Sequence, residues 1–359
     1  AIVGFDPVEL AELLAGTGYL PLGLPTLRAA IARLLTADGL PTREEQVLVT
    51  TGAHQAITLC ASLLVRPGDV VVVERPTFPG CADAFAAAGA RFVTLPVDRD
   101  GVILDELEAT LSRQRPAAIY VMPTFHNPTG AVLAAHRRIR LCEVAAQAGV
   151  PVIEDNALAH AGLGGLRPPP PVAAHPAADQ APVITVGSVS KALWGGLRVG
   201  WLRAPEPWLG RLARRKVAAD LGSAIIDQAI AAQLIGRLPE LEGANSSLLQ
   251  ERLAGCSGLL AERLPDWRWE RPVGGPSLWV RLPVGDAGQF AQVALRHGVE
   301  IIPGAAFATD GSFADHFRLP FTFEPAVMSE AIDRLARAWE AYVPEADRRT
   351  AGAPLGLVV

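Results

Sequence analysis

No apolar run in this sequence reaches membrane-spanning length, and no signal peptide is visible at its start. A soluble, cytoplasmic protein without a membrane partner is the expectation. Cysteine is scarce. Cys60, Cys81, Cys142 and Cys256 lie far apart and lack metal-ligand spacing, so they read as small core residues in a reducing compartment, with no metal site. Basic charge is also short: 32 Lys and Arg stand against 37 Asp and Glu, a formal net charge of −5. Binding to a phosphate backbone needs clustered cations, so no nucleic acid is expected on this chain. Its two basic clusters, Arg137, Arg138 and Arg140, then Arg211, Arg214, Arg215 and Lys216, fall in helical segments and read as solvated faces. An initiator methionine is missing as well. The chain begins at Ala1, which fits a processed product or a fragment of something longer.

What is present is a large apolar fraction, 50% of 359 residues, enough for about two domains with a sizeable core. After a Pro/Gly turn, the segment up to Leu35 is an amphipathic helix with Leu27, Ile31, Leu34 and Leu35 on one side. From VLVTTG onward, short Val/Ile-rich runs alternate with helices of ten or more residues as far as VITVGSV. That texture predicts βαβ units and a mostly parallel sheet with helices on both faces. From about Leu248 the pattern restarts as a smaller α+β domain, its last helix running roughly from Ala326 to Ala341. The expected division is an arm and helix over 1–40, a large domain over 41–245, a small domain over 246–345 and a loose tail over 346–359.

Ligands of such sheets bind beyond the carboxyl ends of the strands. Four features fall there. Thr51-Gly52-Ala53-His54 follows VLVT and opens a helix, whose free amides can cradle an anion, although such turns mostly just connect elements. His126-Asn127-Pro128-Thr129-Gly130 follows AAIYVMP, where a plain Asn-Pro turn would also fit. Asp155 ends an apolar run, where a helix cap or a loop acid would also fit. Ser188, Ser190, Lys191 and Arg198 follow VITVG. A Lys at a buried strand end is costly unless it is paired, neutral or covalently used, and burial frees its amine to attack an aldehyde. An aldehyde beside a phosphate, on a ring whose nitrogen needs an anionic partner, describes pyridoxal phosphate (PLP).

In this order and setting, Asn127, Asp155, Ser188/Ser190/Lys191 and Arg198 resemble the class I/II aminotransferases of the fold-type I PLP superfamily, over Gly18 to Thr322. The resemblance implies an α/β fold and amino-group transfer from an amino acid or amine to a 2-oxo acid. It further implies that Lys191 holds PLP as a Schiff base and shuttles the proton, that Asp155 pairs with the pyridine nitrogen, and that Asn127 bonds the phenolic oxygen. The amides of Ala53 and His54, the hydroxyls of Ser188 and Ser190, and Arg198 would form the phosphate cup. Phe78 would stack on the ring, with a core Phe as the plainer alternative. Tyr19 would reach the phosphate of the partner subunit in a homodimer, and Arg318 would clamp the substrate carboxylate. His54, His126 and His160 lie near these motifs, and none reads as a catalytic base.

One position departs from the pattern. The family commonly carries Asp-x-Ala-Tyr, and here the run is Asp155-Asn156-Ala157-Leu158, so a donor to the phenolic oxygen is lost. SKALWGGLRVGW, GYLPLGLPTLR and FHNPTG resemble one branch most, the MocR-type regulators of the GntR family, which join a winged helix-turn-helix to an aminotransferase-like domain. The resemblance therefore implies two functions for one pocket: a turning-over aminotransferase, or an effector-sensing domain whose DNA-binding module lies upstream. A non-transaminating PLP enzyme, such as a decarboxylase or lyase, is a more distant third.

Overall fold

The computed structural model describes Gly4 and residues 7–350. Residues 351–359 of the expected tail lie outside the described residues. The chain divides into two compact units, the first comprising residues 1–127, 131–246 and 273–275 and the second the remainder.

The first unit is built on an eight-stranded sheet of β1 (Val47–Thr50), β2 (Val70–Arg75), β3 (Arg91–Asp98), β4 (Gly101–Val102), β5 (Ala118–Val121), β6 (Val152–Asp155), β7 (Val183–Ser188) and β8 (Gly200–Arg203). Their spatial order is β1-β8-β7-β6-β5-β2-β3-β4. The five strands from β7 to β3 run parallel, while β1, β8 and β4 pair antiparallel at the two margins. The helices are α1 (Pro7–Ala15), α2 (Pro25–Ala37), α3 (Gly52–Leu64), α4 (Pro79–Ala87), α5 (Leu104–Arg113), α6 (Ala135–Ala148), α7 (Glu206–Asp220), α8 (Ile225–Ile235) and the first turns of α9 (Leu238–Arg263). The sequence pattern had not marked β8, whose GWLR is too short and mixed to stand out. It becomes a strand by filling the gap between β1 and β7.

Both faces of the sheet are covered, which explains why VVVV in β2 is a continuous apolar run rather than an alternation. Val71 and Val73 join Leu48, Ile57, Tyr120, Ile153, Ile184 and Leu202 in one cluster. Val72 faces the other way with Ile119, Val152 and Val183. Leu27, Ile31 and Leu35 of α2 pack with Val47, Val49 and Trp201 on that second face, while Leu34 is only partly buried. All four cysteines are buried free thiols. The two basic clusters are not uniformly solvated, contrary to the sequence reading. Arg138 is buried because Pro123 O, Leu133 O and Thr124 Oγ1 accept its N–H groups, and Lys216 is buried in an ion pair.

The second unit holds a four-stranded antiparallel sheet in the order β11-β12-β10-β9, from β9 (Arg268–Trp269), β10 (Ser277–Arg281), β11 (Ile302–Pro303) and β12 (His316–Pro320). The helix α10 (Ala287–Arg296) is capped by Asp286, whose Oδ1 accepts the Gln289 N–H at 2.8 Å. The last helix, α11 (Pro325–Thr350), extends further than the periodicity suggested. Trp267, Phe290, Phe317 and Trp339 pack edge to face at its core. Among the described residues no helix is long and apolar enough to cross a membrane, and no cluster could hold a metal ion.

Candidate functional site

Side chains alternate along a strand, so Ile153 and Asp155 point to one face of β6, and Ile184, Val186 and Ser188 to the same face of β7. Asp155 closes β6 with its carboxylate buried. Tyr120 Oη donates to Asp155 Oδ2 at 2.6 Å, and the Ala157 N–H to Oδ1 at 2.9 Å. Burial pushes the Asp155 carboxyl up, and those two donors pull against that rise. A carboxylate so placed is matched to a cation delivered by a ligand.

The loop after β7 bends back at Ser188, whose Oγ lies 3.0 Å from Ser190 Oγ and accepts the Ser190 N–H at 3.1 Å. Lys191 comes three residues after the strand and is exposed. That corrects the burial argued from sequence: the bend carries the ammonium out of the sheet. Gly195 and Gly196, just before Arg198, do not adopt left-handed backbone. Arg198 itself takes φ 50°, and Gly196 is needed because a Cβ there would meet the Trp194 ring at 2.3 Å.

Arg198 reaches the start of α3. Its Nη2 donates to Thr51 O at 3.4 Å and would be 2.7 Å from a Cβ on Gly52, which adopts φ +80°. The Ala53 and His54 amides are in the first turn of α3, where N–H groups have no intrahelical acceptor. A guanidinium beside a helix N-terminus makes an anion cup. Gly52→Ala is therefore expected to weaken inorganic phosphate binding about ten-fold, through left-handed strain and displacement of Arg198. Calorimetric titration with phosphate measures it, and unchanged affinity would remove Gly52 from the cup.

Sequence reasoning missed the support beneath this cup. Lys216 Nζ donates to both Asp220 oxygens at 2.8 and 2.7 Å and to Ser223 Oγ at 3.1 Å. Ser223 Oγ meets Thr51 Oγ1 at 3.0 Å, and Gln55 links Asp220 to the Thr51 N–H. Burial tends to raise Asp220, yet Lys216 and Gln55 hold its carboxyl below the ordinary range. The available signal was rarity: Lys191 and Lys216 are the only lysines in the chain. Also missed were Tyr120 and Glu74, whose Oε2 accepts the Met122 N–H at 2.6 Å and lies 3.4 Å from His126 Nε2.

Of the other expected residues, Phe78 is partly buried against the first-face core, and its ring and the His54 imidazole both flank Gly80. Asn127 is half-buried beyond β5, and Tyr19 is 65% exposed. Leu158 is buried in the apolar cluster with Tyr120 and Phe125. His126 is buried, which lowers its pKa to about 4, and stays neutral as expected of a structural His. His160 bonds Glu242 at 2.5 Å, away from the cup. Arg318 belongs to the second unit, in β12, with its guanidinium 5.2 Å from the Phe307 ring centroid.

The sequence matches the family described as Aminotransferase class I and II over residues 14–335. The chain belongs to that family. It is 33% identical to a 2-aminoadipate transaminase of Thermus thermophilus over 318 residues, 88% of this chain and 80% of that one. The crystal structure of an α-aminoadipate aminotransferase from the same organism, complexed with N-(5'-phosphopyridoxyl)-L-leucine, superposes with a TM-score of 0.85 at 31% identity, covering 93% of this chain and 87% of the other. An uncharacterized HTH-type transcriptional regulator of Bacillus subtilis, YdfD, is 29% identical over 85% of this chain, which spans 62% of the regulator. The fold is thus that of the fold-type I aminotransferases, and both branches expected from the sequence are among the relatives of this aminotransferase-like chain.

Proposed function

We propose that this chain binds pyridoxal phosphate and transfers the amino group of an α-amino acid to a 2-oxo acid. The observation that supports it most is a buried carboxylate, Asp155, on the same sheet face as the α3 anion cup, with Lys191 following the adjacent strand. Those residues fit the cofactor: a cation partner for Asp155, an anion for the cup, and an amine to tether it. When bound, the cofactor supplies an electron sink for the substrate carbanion. Asp155 would keep the proton on the ring nitrogen, Asn127 would donate to the phenolic oxygen, and Phe78 would pack on the ring. Ser188, Ser190, Arg198 and the Ala53 and His54 amides hold the phosphate. Lys191 Nζ would take the substrate Cα proton and deliver it to the cofactor's aldehyde-derived carbon. Arg318 would bind the substrate carboxylate bidentately. Proteins of this family use amino acid substrates and typically work as dimers. We infer a homodimer here, with Tyr19 reaching the partner's phosphate, residues 41–245 as the cofactor domain and 246–345 as the small domain.

A second reading, an effector-sensing domain with little turnover, is favoured by Leu158, which cannot donate, and by the regulator relatives. Amino acids mixed with the PLP-loaded protein should yield the pyridoxamine form, and 2-oxo acids should reverse it. Complete half-reactions exclude the pure sensor, and their absence excludes the enzyme. Leu158→Tyr is expected to raise the single-turnover rate about ten-fold by restoring a donor near the ring. An unchanged rate in stopped-flow would show that position 158 does not limit turnover.

A further inference from the structure

A cavity of about 500 Å³ lies in the first unit, lined in part by Thr185, Gly187 and Trp201 of the sheet face opposite to Asp155. Alternation puts Asn156 on that face, since Asp155 is on the other. The Asn156 N–H bonds Val186 O at 2.9 Å, extending the β6–β7 ladder by one residue and setting Asn156 beside Gly187. Gly187 in turn faces Trp201 across β7 and β8. Asn156, Gly187 and Trp201 thus form one row across three strands. The indole lies over Gly187, where a Cβ would meet Trp201 Nε1 at 2.4 Å.

This row carries unsatisfied polar atoms. Asn156 Nδ2, Asn156 Oδ1 and Trp201 Nε1 have no hydrogen-bond partner, although the residues are only 8% and 2% exposed. Buried polar atoms are nearly always paired, and leaving three together unpaired is costly unless something completes them. In the next row of the same face, Glu154 accepts N–H groups from Val172 and Ala173 and the Thr185 hydroxyl, while Arg203 Nε has no partner. Leu35, Leu238, Pro168 and Pro171 supply apolar wall, beside the hydroxyls of Thr124 and Ser246. Charged residues of the lining offset one another: His160, whose pKa is pushed up against burial by Glu242 at 2.5 Å and Asp38 at 3.5 Å, and Arg167 stand against the two acids.

We propose that this cavity binds a small, flat, uncharged molecule whose edge carries a hydrogen-bond donor beside an acceptor, such as a carboxamide, a lactam or an aminoheterocycle. Asn presents its amide donor and acceptor side by side, the arrangement that reads such an edge bidentately. Trp201 Nε1 donates a further bond, and the Leu and Pro walls cover the ring faces. The volume suits a ligand of that size. The site is distinct from the cofactor pocket and stands whether the cofactor turns over or only reports. Because Asn156 follows Asp155 directly, an occupant is placed to act on the residue proposed to anchor the cofactor ring.

Nicotinamide, 2-pyridone and adenine, titrated into the PLP-loaded full chain by ligand-observed NMR, test the proposal. At least one is expected to bind with a Kd of about 1 mM or tighter. Trp201→Phe, which keeps a ring and removes the N–H, should weaken binding about five- to ten-fold, and Asn156→Leu should abolish it. Lys191→Ala should leave binding unchanged. Without ligand, Asn156→Leu should raise Tm by about 2–4 °C, because it deletes unsatisfied polar atoms. Failure of all three probes at about 10 mM would overturn the proposal. So would affinity unchanged in Trp201→Phe or Asn156→Leu, binding lost in Lys191→Ala, or a soaked crystal holding only water between Asn156 and Trp201.

Discussion

Lys191→Ala is expected to lower amino-group transfer by at least about 10⁴-fold while the protein still binds the cofactor non-covalently. The size follows from removing a group that serves as both tether and proton carrier, since such residues cost far more than a single contact. No other lysine can stand in. Lys216 is fully buried and held by Asp220 and Ser223, so its Nζ is committed to the support of α3. Retention of the cofactor follows from what remains in the variant: the Arg198 guanidinium, the α3 amides and the Asp155 carboxylate. Gel filtration with phosphate-free buffer, followed by borohydride treatment, separates the two effects. Wild-type protein should be fixed covalently at Lys191, and the variant should carry cofactor that denaturation releases. Covalent fixation in the variant would mean that the tether had been misassigned.

Glu74→Gln should stabilise the cofactor-free protein against wild type by an amount that grows with pH. Burial pushes the Glu74 carboxyl from its ordinary value near 4.5 up to about 8, opposed by the Met122 N–H and reinforced by Asp155. The folded state then holds a proton that the unfolded state has released. Stability contributed by the protonated acid is complete below about pH 4.5 and is lost as pH rises toward about 8, at about 1.4 kcal/mol per pH unit. Glutamine keeps an acceptor for the Met122 N–H and cannot ionise. The variant-minus-wild-type difference should therefore climb by a few kcal/mol across that window and level off above it. His126 works against the slope in wild type. Its pKa of about 4 lies below the ordinary 6.5, so its own contribution rises with pH over that interval. His126 Nε2 lies 3.4 Å from Glu74 Oε2, so the titration of His126 is followed in each protein and subtracted. Urea titrations at half-unit pH steps measure it, and a flat difference would show that Glu74 is ionised in the fold.

Much of this was legible in the residues. The alternation of Val/Ile runs with longer helices contained the parallel sheet, because a strand buried on both faces must be apolar throughout. Asp155, Ser188, Lys191 and Arg198 stood out as candidates because ligands of such sheets gather at strand ends, where order along the chain already implies neighbourhood. Other features were not legible, for a common reason: each depends on what another segment brings beside it. The short run GWLR carries no strand signal of its own and is made a strand by its two neighbours. Lys216 and Arg138 look like parts of exposed basic clusters until Asp220 and the carbonyls of residues 123 and 133 close around them. Glu74 and Tyr120 look like ordinary strand residues until packing sets them under Asp155.

The sequence by itself determined the kind of sheet, the family and the set of groups gathered past its strands. Tertiary structure decided which polar groups are buried and what each faces. Periodicity records on which side of a strand a residue stands. It cannot record that Asn156, Gly187 and Trp201, from three strands, share a row, since register is settled only when the strands pair.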